Sequence, residues 1–256
     1  MYKFENKKIL LTGASKGLGC ICAKAFAENG AQLLITARSI ELLEQLRQSL
    51  PNPDKHMVFA ADLTQPEKIT ELIEESENFL GGFDVIIHVA GGGLGLRDPL
   101  LTLEDSRRLY ELNVGIAVGV NRLVIPKMIA KGAGNVVHVC SIASTEATGS
   151  VGYNTSKAAL AAYVRSLGRE IADTGVIVTG ILPGAFLAPN NAFVRLRENN
   201  PEVYKNFVQE RLPRKRIGQA NEIIPLLLYL SSEAASMMSG CCVPIDAGEG
   251  MSFLVQ

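Results

Sequence analysis

Short, almost uninterrupted apolar runs alternate with longer stretches of helical spacing from one end of the chain nearly to the other, and this rhythm constrains the fold most. The candidate strands are Lys8 to Thr12, Gln32 to Thr36, His56 to Ala60, Val85 to Val89, Asn135 to Cys140, Val176 to Ile181 and Cys242 to Ile245. A strand with one wet face alternates apolar and polar residues. These runs do not, which fits parallel strands covered on both faces. Between them, apolar residues recur at three- and four-residue intervals, as in Leu160, Ala161, Val164, Leu167 and Ile171. That spacing marks helices with one buried face. The alternation predicts an α/β fold, a doubly wound parallel sheet of about seven strands with helices on both faces. No repeat, low-complexity tract or linker interrupts it, so residues 1–256 read as a single domain.

Helix boundaries fit the scheme. Thr102-Leu103-Glu104-Asp105 has the form of a capping box, and Gly30 and Gly175 stand where helices should stop. Pro126 is expected to kink or end the helix that begins near Thr102. Residues 185–218 break the rhythm, with helical pieces but no strand. They follow the sixth strand at its carboxyl end, where ligands bind in such sheets, and are expected to form a substrate lid.

Composition narrows the function classes. Lys and Arg number 25 against 26 Asp and Glu, for a net charge of −1, which gives no electrostatic reason to expect a nucleic-acid partner. At 47% hydrophobic residues the chain is not disordered. No apolar run reaches bilayer length; the longest candidate, Ile223 to Leu230, is interrupted by Pro225. After Lys3, Lys7 and Lys8 only Ile9-Leu10-Leu11 is apolar, too short for a signal-peptide core. A cytoplasmic location without membrane contact is therefore expected. Five cysteines, an odd number, read as reduced thiols. Cys20 and Cys22 on a helix, and Cys241 and Cys242 on a strand, point apart, so no metal site is expected. His56, His88 and His138 lie in or beside apolar runs and read as core or rim histidines.

The first strand runs directly into Thr12-Gly13-Ala14-Ser15-Lys16-Gly17-Leu18-Gly19, followed by a helix. Glycines there let the backbone turn tightly and approach a pyrophosphate, which the free N–H groups at a helix start favour. Gly13, Ser15, Lys16, Gly17, Leu18 and Gly19 are thus candidate cofactor-binding residues. The spacing is G-x-x-x-G-x-G rather than the commoner G-x-G-x-x-G. At the end of the second strand an acid would bind ribose hydroxyls, whereas a base would accommodate a 2′-phosphate. Here stand Ala37-Arg38-Ser39, with Lys16 within reach of the same phosphate. Two cations and no acid favour NADP(H) over NAD(H); the competing reading makes Arg38 an ordinary solvated loop residue. Asp62 and Leu63, after the third strand, would cap the adenine edge, or Asp62 is a simple turn aspartate.

Ser141 closes the fifth strand, and Tyr153 and Lys157 stand four apart on the next helix, projecting from one face. A free phenol titrates near pH 10, too high for proton transfer at neutral pH. A cation about 4 Å away, at an effective dielectric near 20, is worth roughly 4 kcal/mol and corrects this.

In these motifs the chain resembles the short-chain dehydrogenase/reductase family over almost its whole length. The matching stretches are TGASKGLG (12–19), Asp62-Leu63, HVAG (88–91), NVG (113–115), Ser141 with YNTSK (153–157), and Pro183-Gly184. RIGQANEI and PIDAGEG near the end are similar to the bacterial 3-oxoacyl-carrier-protein-reductase-like branch. The resemblance implies a Rossmann-type fold, a catalytic tetrad at Asn113, Ser141, Tyr153 and Lys157, and a homotetramer or homodimer. It adds Ala90, Gly91, Pro183 and Gly184 to the cofactor site, gives Lys157 the nicotinamide ribose, and makes Asn113 a support for a water chain. Three positions depart from the family pattern: His88-Val89 where an asparagine is common, Ala188 where a threonine often binds the carboxamide, and Asp246-Ala247-Gly248 for Asp-Gly-Gly. The glycine-rich run Gly91 to Gly95 either shapes a roomy pocket or is a flexible loop.

The expected function is NADPH-dependent reduction of a ketone to a secondary alcohol, with Tyr153 as general acid and a 3-oxoacyl thioester as default substrate. A keto-sugar or polyol is the alternative, because Asn190, Asn191, Arg195 and Arg197 make the lid polar. Arg211, Arg214, Lys215 and Arg216 could meet a carrier or nucleotide phosphate, but a solvated basic turn is the favoured reading. A non-catalytic dinucleotide-sensing scaffold is the remaining reading.

Overall fold

The seven apolar runs become strands within one or two residues of their expected ends, in a computed structural model that describes residues 2–252. They are β1 (Lys8–Thr12), β2 (Gln32–Ala37), β3 (Met57–Ala60), β4 (Val85–His88), β5 (Gly134–Val139), β6 (Val176–Pro183) and β9 (Cys242–Ile245). All pair in parallel, in the order β3-β2-β1-β4-β5-β6-β9. The chain winds outward from β1 to β3 and then returns to lay β4 against the other side of β1. That reversal opens a crevice at the carboxyl ends of β1 and β4.

Successive side chains on each strand serve opposite faces, so both faces are apolar. Ile9 and Leu11 of β1 pack against α1 (Gly17–Glu28), α2 (Ile40–Ser49) and α9 (Ala220–Leu230), in a cluster with Phe26, Leu43 and Leu227. Leu10 faces the other way, toward α3 (Pro66–Leu80), α5 (Ile116–Lys131) and α6 (Val151–Glu170), with Leu72, Val120 and Val164. Burial on both faces is why these strands read as continuous apolar runs.

Three expectations need correction. Pro126 does not end its helix. Thr102 caps α4 (Leu103–Tyr110) by accepting from Asp105 N–H at 3.1 Å, and a wider turn at Glu111–Gly115 joins α4 to α5, which runs on past Pro126 to Lys131. Pro126 lies on the exposed side, where water can satisfy the carbonyl that a proline leaves unpaired. As a result Leu103–Lys131 is one 29-residue helical stretch holding an 18-residue window of mean hydropathy 1.3, long and apolar enough to cross a bilayer, contrary to the sequence reading. Half of that window is buried, and Val120, Val124 and Met128 fill the core, so it is a core helix. The third correction concerns the lid. Residues 185–218 contain a strand after all: β7 (Phe186–Leu187) pairs in parallel with β8 (Gly218–Gln219) and ties the two ends of the segment together. Between them, α7 (Ala192–Asn199) and α8 (Pro201–Arg211) enclose a small apolar cluster of their own, Val208, Leu212 and Ile217 with Phe193, Tyr204 and Phe207.

Candidate active site

The turn from β1 into α1 reaches the crevice with its glycines enforced by contact. A Cβ on Gly13 would lie 2.7 Å from Ala90 N, and one on Gly19 would lie 2.2 Å from Gly13 O. Only bare backbone lets β1, α1 and the end of β4 close up in this way. Lys16, exposed, precedes α1 without a side-chain cap. Of the N–H groups opening the helix, that of Gly17 donates to Pro189 O at 2.9 Å, whereas those of Leu18 and Gly19 have no hydrogen-bond partner among the described residues. Unpaired N–H groups at a helix start, with open space beside Gly17, suit a negatively charged group. Leu18 itself is buried in the core, and Ser15 is half-buried at the turn.

Arg38 is exposed just beyond β2 and pairs with no carboxylate among the described residues. Ser39 caps α2, and the Glu41 carboxylate turns back onto Ser39 Oγ at 2.9 Å. Asp62 holds its own turn, accepting from Thr64 N–H and Oγ1 at 3.1 and 2.8 Å, and Leu63 is a core residue.

Across the crevice, Lys157 is almost fully buried and its Nζ donates to Val139 O at 2.8 Å, at the carboxyl end of β5. Nζ lies 5.8 Å from the centre of the Tyr153 ring, one helical turn earlier. Val139 O is its only partner among the described residues, leaving two of three ammonium donors free. Ser141, two residues beyond Val139, accepts from Ala143 N–H at 3.1 Å and so keeps its own proton free to donate. Gly91 closes the group: a Cβ there would lie 2.8 Å from Asn113 Oδ1 and 3.1 Å from Lys157 Nζ. Asn113 sits in the wide turn after α4. Its Oδ1 accepts from Gly92 N–H at 2.9 Å, and its Nδ2 donates to Gly92 O at 3.0 Å and Leu109 O at 2.9 Å. Its side chain therefore fixes the loop after β4.

Pro183 is buried at the end of β6. Gly184 packs against the C-terminal segment, where its Cβ would meet Glu249 Oε2 and Asp246. Ala188 is buried in the core and offers no polar reach. Several polar side chains of the lid are already engaged: Asn191 caps α7 and Arg195 bonds Asn190 O within it, whereas Arg211 pairs with Glu249, and Arg214 and Arg216 pair with Glu222, outside it.

Beneath the site lies a polar network that sequence reasoning missed. His88 and His138 are register partners on β4 and β5 and stack at 4.8 Å. His138 Nδ1 donates to Thr179 O at 3.1 Å, so its Nε2 accepts from Asn121 Nδ2 at 3.2 Å. Asn121 also donates to Tyr163 Oη and accepts from His88 Nε2 at 2.9 Å. Burial holds His88 down at about 4, against the Asn121 bond, and depresses His138 as well, with the His88 charge adding to the effect. Both rings are neutral at pH 7. Beside this network, Thr12 Oγ1 accepts from Val89 and Ala90 N–H at 3.2 and 3.3 Å and holds the backbone just after β4. The signal of the network in the sequence was Asn121 on the apolar face of its helix, in step with Ala117, Val124 and Met128.

A family model described as short chain dehydrogenase matches residues 7–199. The glucose 1-dehydrogenase of Gluconobacter oxydans is 31% identical over 96% of this chain and 92% of its own. The 3-oxoacyl-[acyl-carrier-protein] reductase FabG of Aquifex aeolicus is 30% identical over 96% and 98%. The crystal structure of L-sorbose reductase from Gluconobacter frateurii, complexed with NADPH and L-sorbose, superposes with a TM-score of 0.89 at 28% identity, covering 98% of this chain and 99% of that one.

Proposed function

The chain belongs to the short-chain dehydrogenase family, NAD(P)-dependent oxidoreductases acting on CH–OH and C=O groups, and from that premise we propose that it reduces a ketone to a secondary alcohol with NADPH. One observation carries the reading: a buried lysine with two free donors stands beside the Tyr153 ring, next to the backbone of Gly91, at the crevice where the sheet reverses.

Reducing a carbonyl builds negative charge on its oxygen, which needs hydrogen-bond donors and then a proton. Ser141 keeps a free O–H for that oxygen. Tyr153 donates the proton as general acid, or accepts it in the oxidative direction. Lys157 holds positive charge beside the phenol and offers its remaining donors to the ribose hydroxyls. Asn113 keeps the Gly91–Gly92 backbone against them. When bound, the nicotinamide supplies the hydride.

The glycine turn fits a dinucleotide, and Lys16 and Arg38 fit its 2′-phosphate. Replacing both with alanine should raise the KM for NADPH about 10- to 100-fold, the value of one or two charge-assisted hydrogen bonds, and leave that for NADH within about twofold. Equal losses for both cofactors would contradict this assignment.

A 3-oxoacyl thioester is the first substrate to test and a keto-sugar or polyol the second. The second reading is favoured by similarity to the L-sorbose reductase and the glucose 1-dehydrogenase. NADPH consumption with an acetoacetyl thioester, set against a panel of keto-sugars, decides between them. Turnover of neither, with NADPH still bound, would favour a dinucleotide-sensing scaffold. A homotetramer, or else a homodimer, in the cytoplasm completes the reading. Leu103, Tyr110, Val118, Ile129 and Val151 leave α4, α5 and the start of α6 with exposed apolar surface, and light scattering tests it.

A further inference from the structure

The lid is joined to the catalytic sheet by an element outside the proposed catalytic group. Just after β9 the chain turns sharply, with the two Asp246 carboxylate oxygens accepting from Gly248 and Gly250 N–H at 3.0 and 2.9 Å. This turn carries Glu249 inward, where its side chain is only 5% exposed. Glu249 Oε2 accepts from Ala185 N–H at 2.6 Å, and its Oε1 lies 3.4 Å from Arg211 Nε. Ala185 is the first residue of the lid, and Arg211 ends α8 on its far side. Gly184 admits the carboxylate, since a Cβ there would lie 2.7 Å from Oε2.

One buried carboxylate thus grips the lid at its root and at its last helix. The lid has its own apolar cluster, and β7 and β8 pin its ends to each other, so it can move as one body. Further ties run from Gly17 N–H to Pro189 O, at the phosphate-binding turn, from Arg214 and Arg216 to Glu222 of α9, and through Ala188 in the core. A charged acceptor makes the stronger kind of hydrogen bond, and here it acts where water is largely excluded. We infer that Glu249 is a positioning residue: through Ala185 N–H and Arg211 it sets the lid over the crevice and so governs how tightly substrate is held, without touching the reacting atoms. Only the kinetic consequence rests on the carbonyl-reductase reading.

Limited chymotrypsin digestion of the full chain, with cleavage sites mapped by mass spectrometry, reads the lid independently of catalysis, because Phe193, Tyr204 and Phe207 lie within it. Glu249→Ala removes both ties. Glu249→Gln keeps an acceptor for Ala185 N–H and loses the charge facing Arg211. Glu233→Gln, at an exposed surface pair with Lys7, is the control. Cleavage inside the lid is expected to accelerate about tenfold or more in Glu249→Ala and by an intermediate factor in Glu249→Gln, with the control unchanged. With a ketone that the wild type reduces, KM should rise about fivefold or more in Glu249→Ala while kcat falls less than about threefold. Lid cleavage within about twofold of wild type in both variants would overturn the inference, as would a fall in kcat at constant KM. If the wild type reduces no ketone, the carbonyl-reductase reading fails and the digestion still decides the role of Glu249.

Discussion

Tyr153→Phe is expected to lower carbonyl reduction by about 10²- to 10⁴-fold, the span that a positioned general acid contributes. The substitution removes one oxygen and keeps the ring. The ring's surroundings are shaped for it: a Cβ on Gly149 would lie 2.8 Å from Tyr153 Cδ1, and one on Gly93 would lie 3.8 Å away, so phenylalanine should seat as tyrosine does. Lys157 keeps its bond to Val139 O, and NADPH affinity should stay within a few-fold. Rate loss with retained binding marks an interaction made only as the oxygen is protonated. Reduction within about tenfold of wild type would remove Tyr153 from the mechanism.

The second large effect is on stability. His88 titrates at about 4 in the fold against an ordinary 6.5, because burial penalises its charged form. The unfolded chain therefore takes up the proton first. Stability that is complete above about pH 6.5 falls as pH drops toward 4 and changes no further from this group below that. At about 1.4 kcal/mol per pH unit, His88 alone accounts for about 3 kcal/mol. His138 shifts the same way, and the first of the two to charge would face its stacked neighbour, with Lys157 and Tyr163 close by. His88→Asn can still donate to Asn121 and has nothing to titrate. Urea unfolding of the two proteins across this range should show the wild type losing about 3 kcal/mol more than the variant. Parallel curves would contradict the buried neutral pair. His56 and the carboxylates are common to both proteins and cancel in the difference.

These two effects mark what could and could not be read from the chain alone. Ile9-Leu10-Leu11 and Val85-Ile86-Ile87 announced a sheet covered on both sides because each run carries two faces at once. The glycine turn and the order of Ser141, Tyr153 and Lys157 were equally visible, since each depends on residues close in sequence. Pro126 misled because its effect depends on which side of the helix it occupies. β7 and β8 are two residues each, too short to show a period. The His88–Asn121–His138 network needs the register between β4 and β5, and Glu249 reaches Ala185 only because the chain doubles back 64 residues later. Arg211, Arg214 and Arg216 read in the sequence as a basic turn, and their partners Glu249 and Glu222 could not be read from it.

Isotope transfer tests the central claim most directly. The wild type would be incubated with NADPH deuterated at the nicotinamide C4, on each face in turn, and with each ketone of the panel. Mass spectrometry of the alcohol then shows whether the deuterium has moved. The account predicts that at least one ketone yields a secondary alcohol carrying one deuterium on the carbinol carbon, from one face only and in step with cofactor oxidation. Lys157→Met should form little or none. Bound NADPH that stays reduced with every ketone, or an alcohol without deuterium from either face, would contradict it.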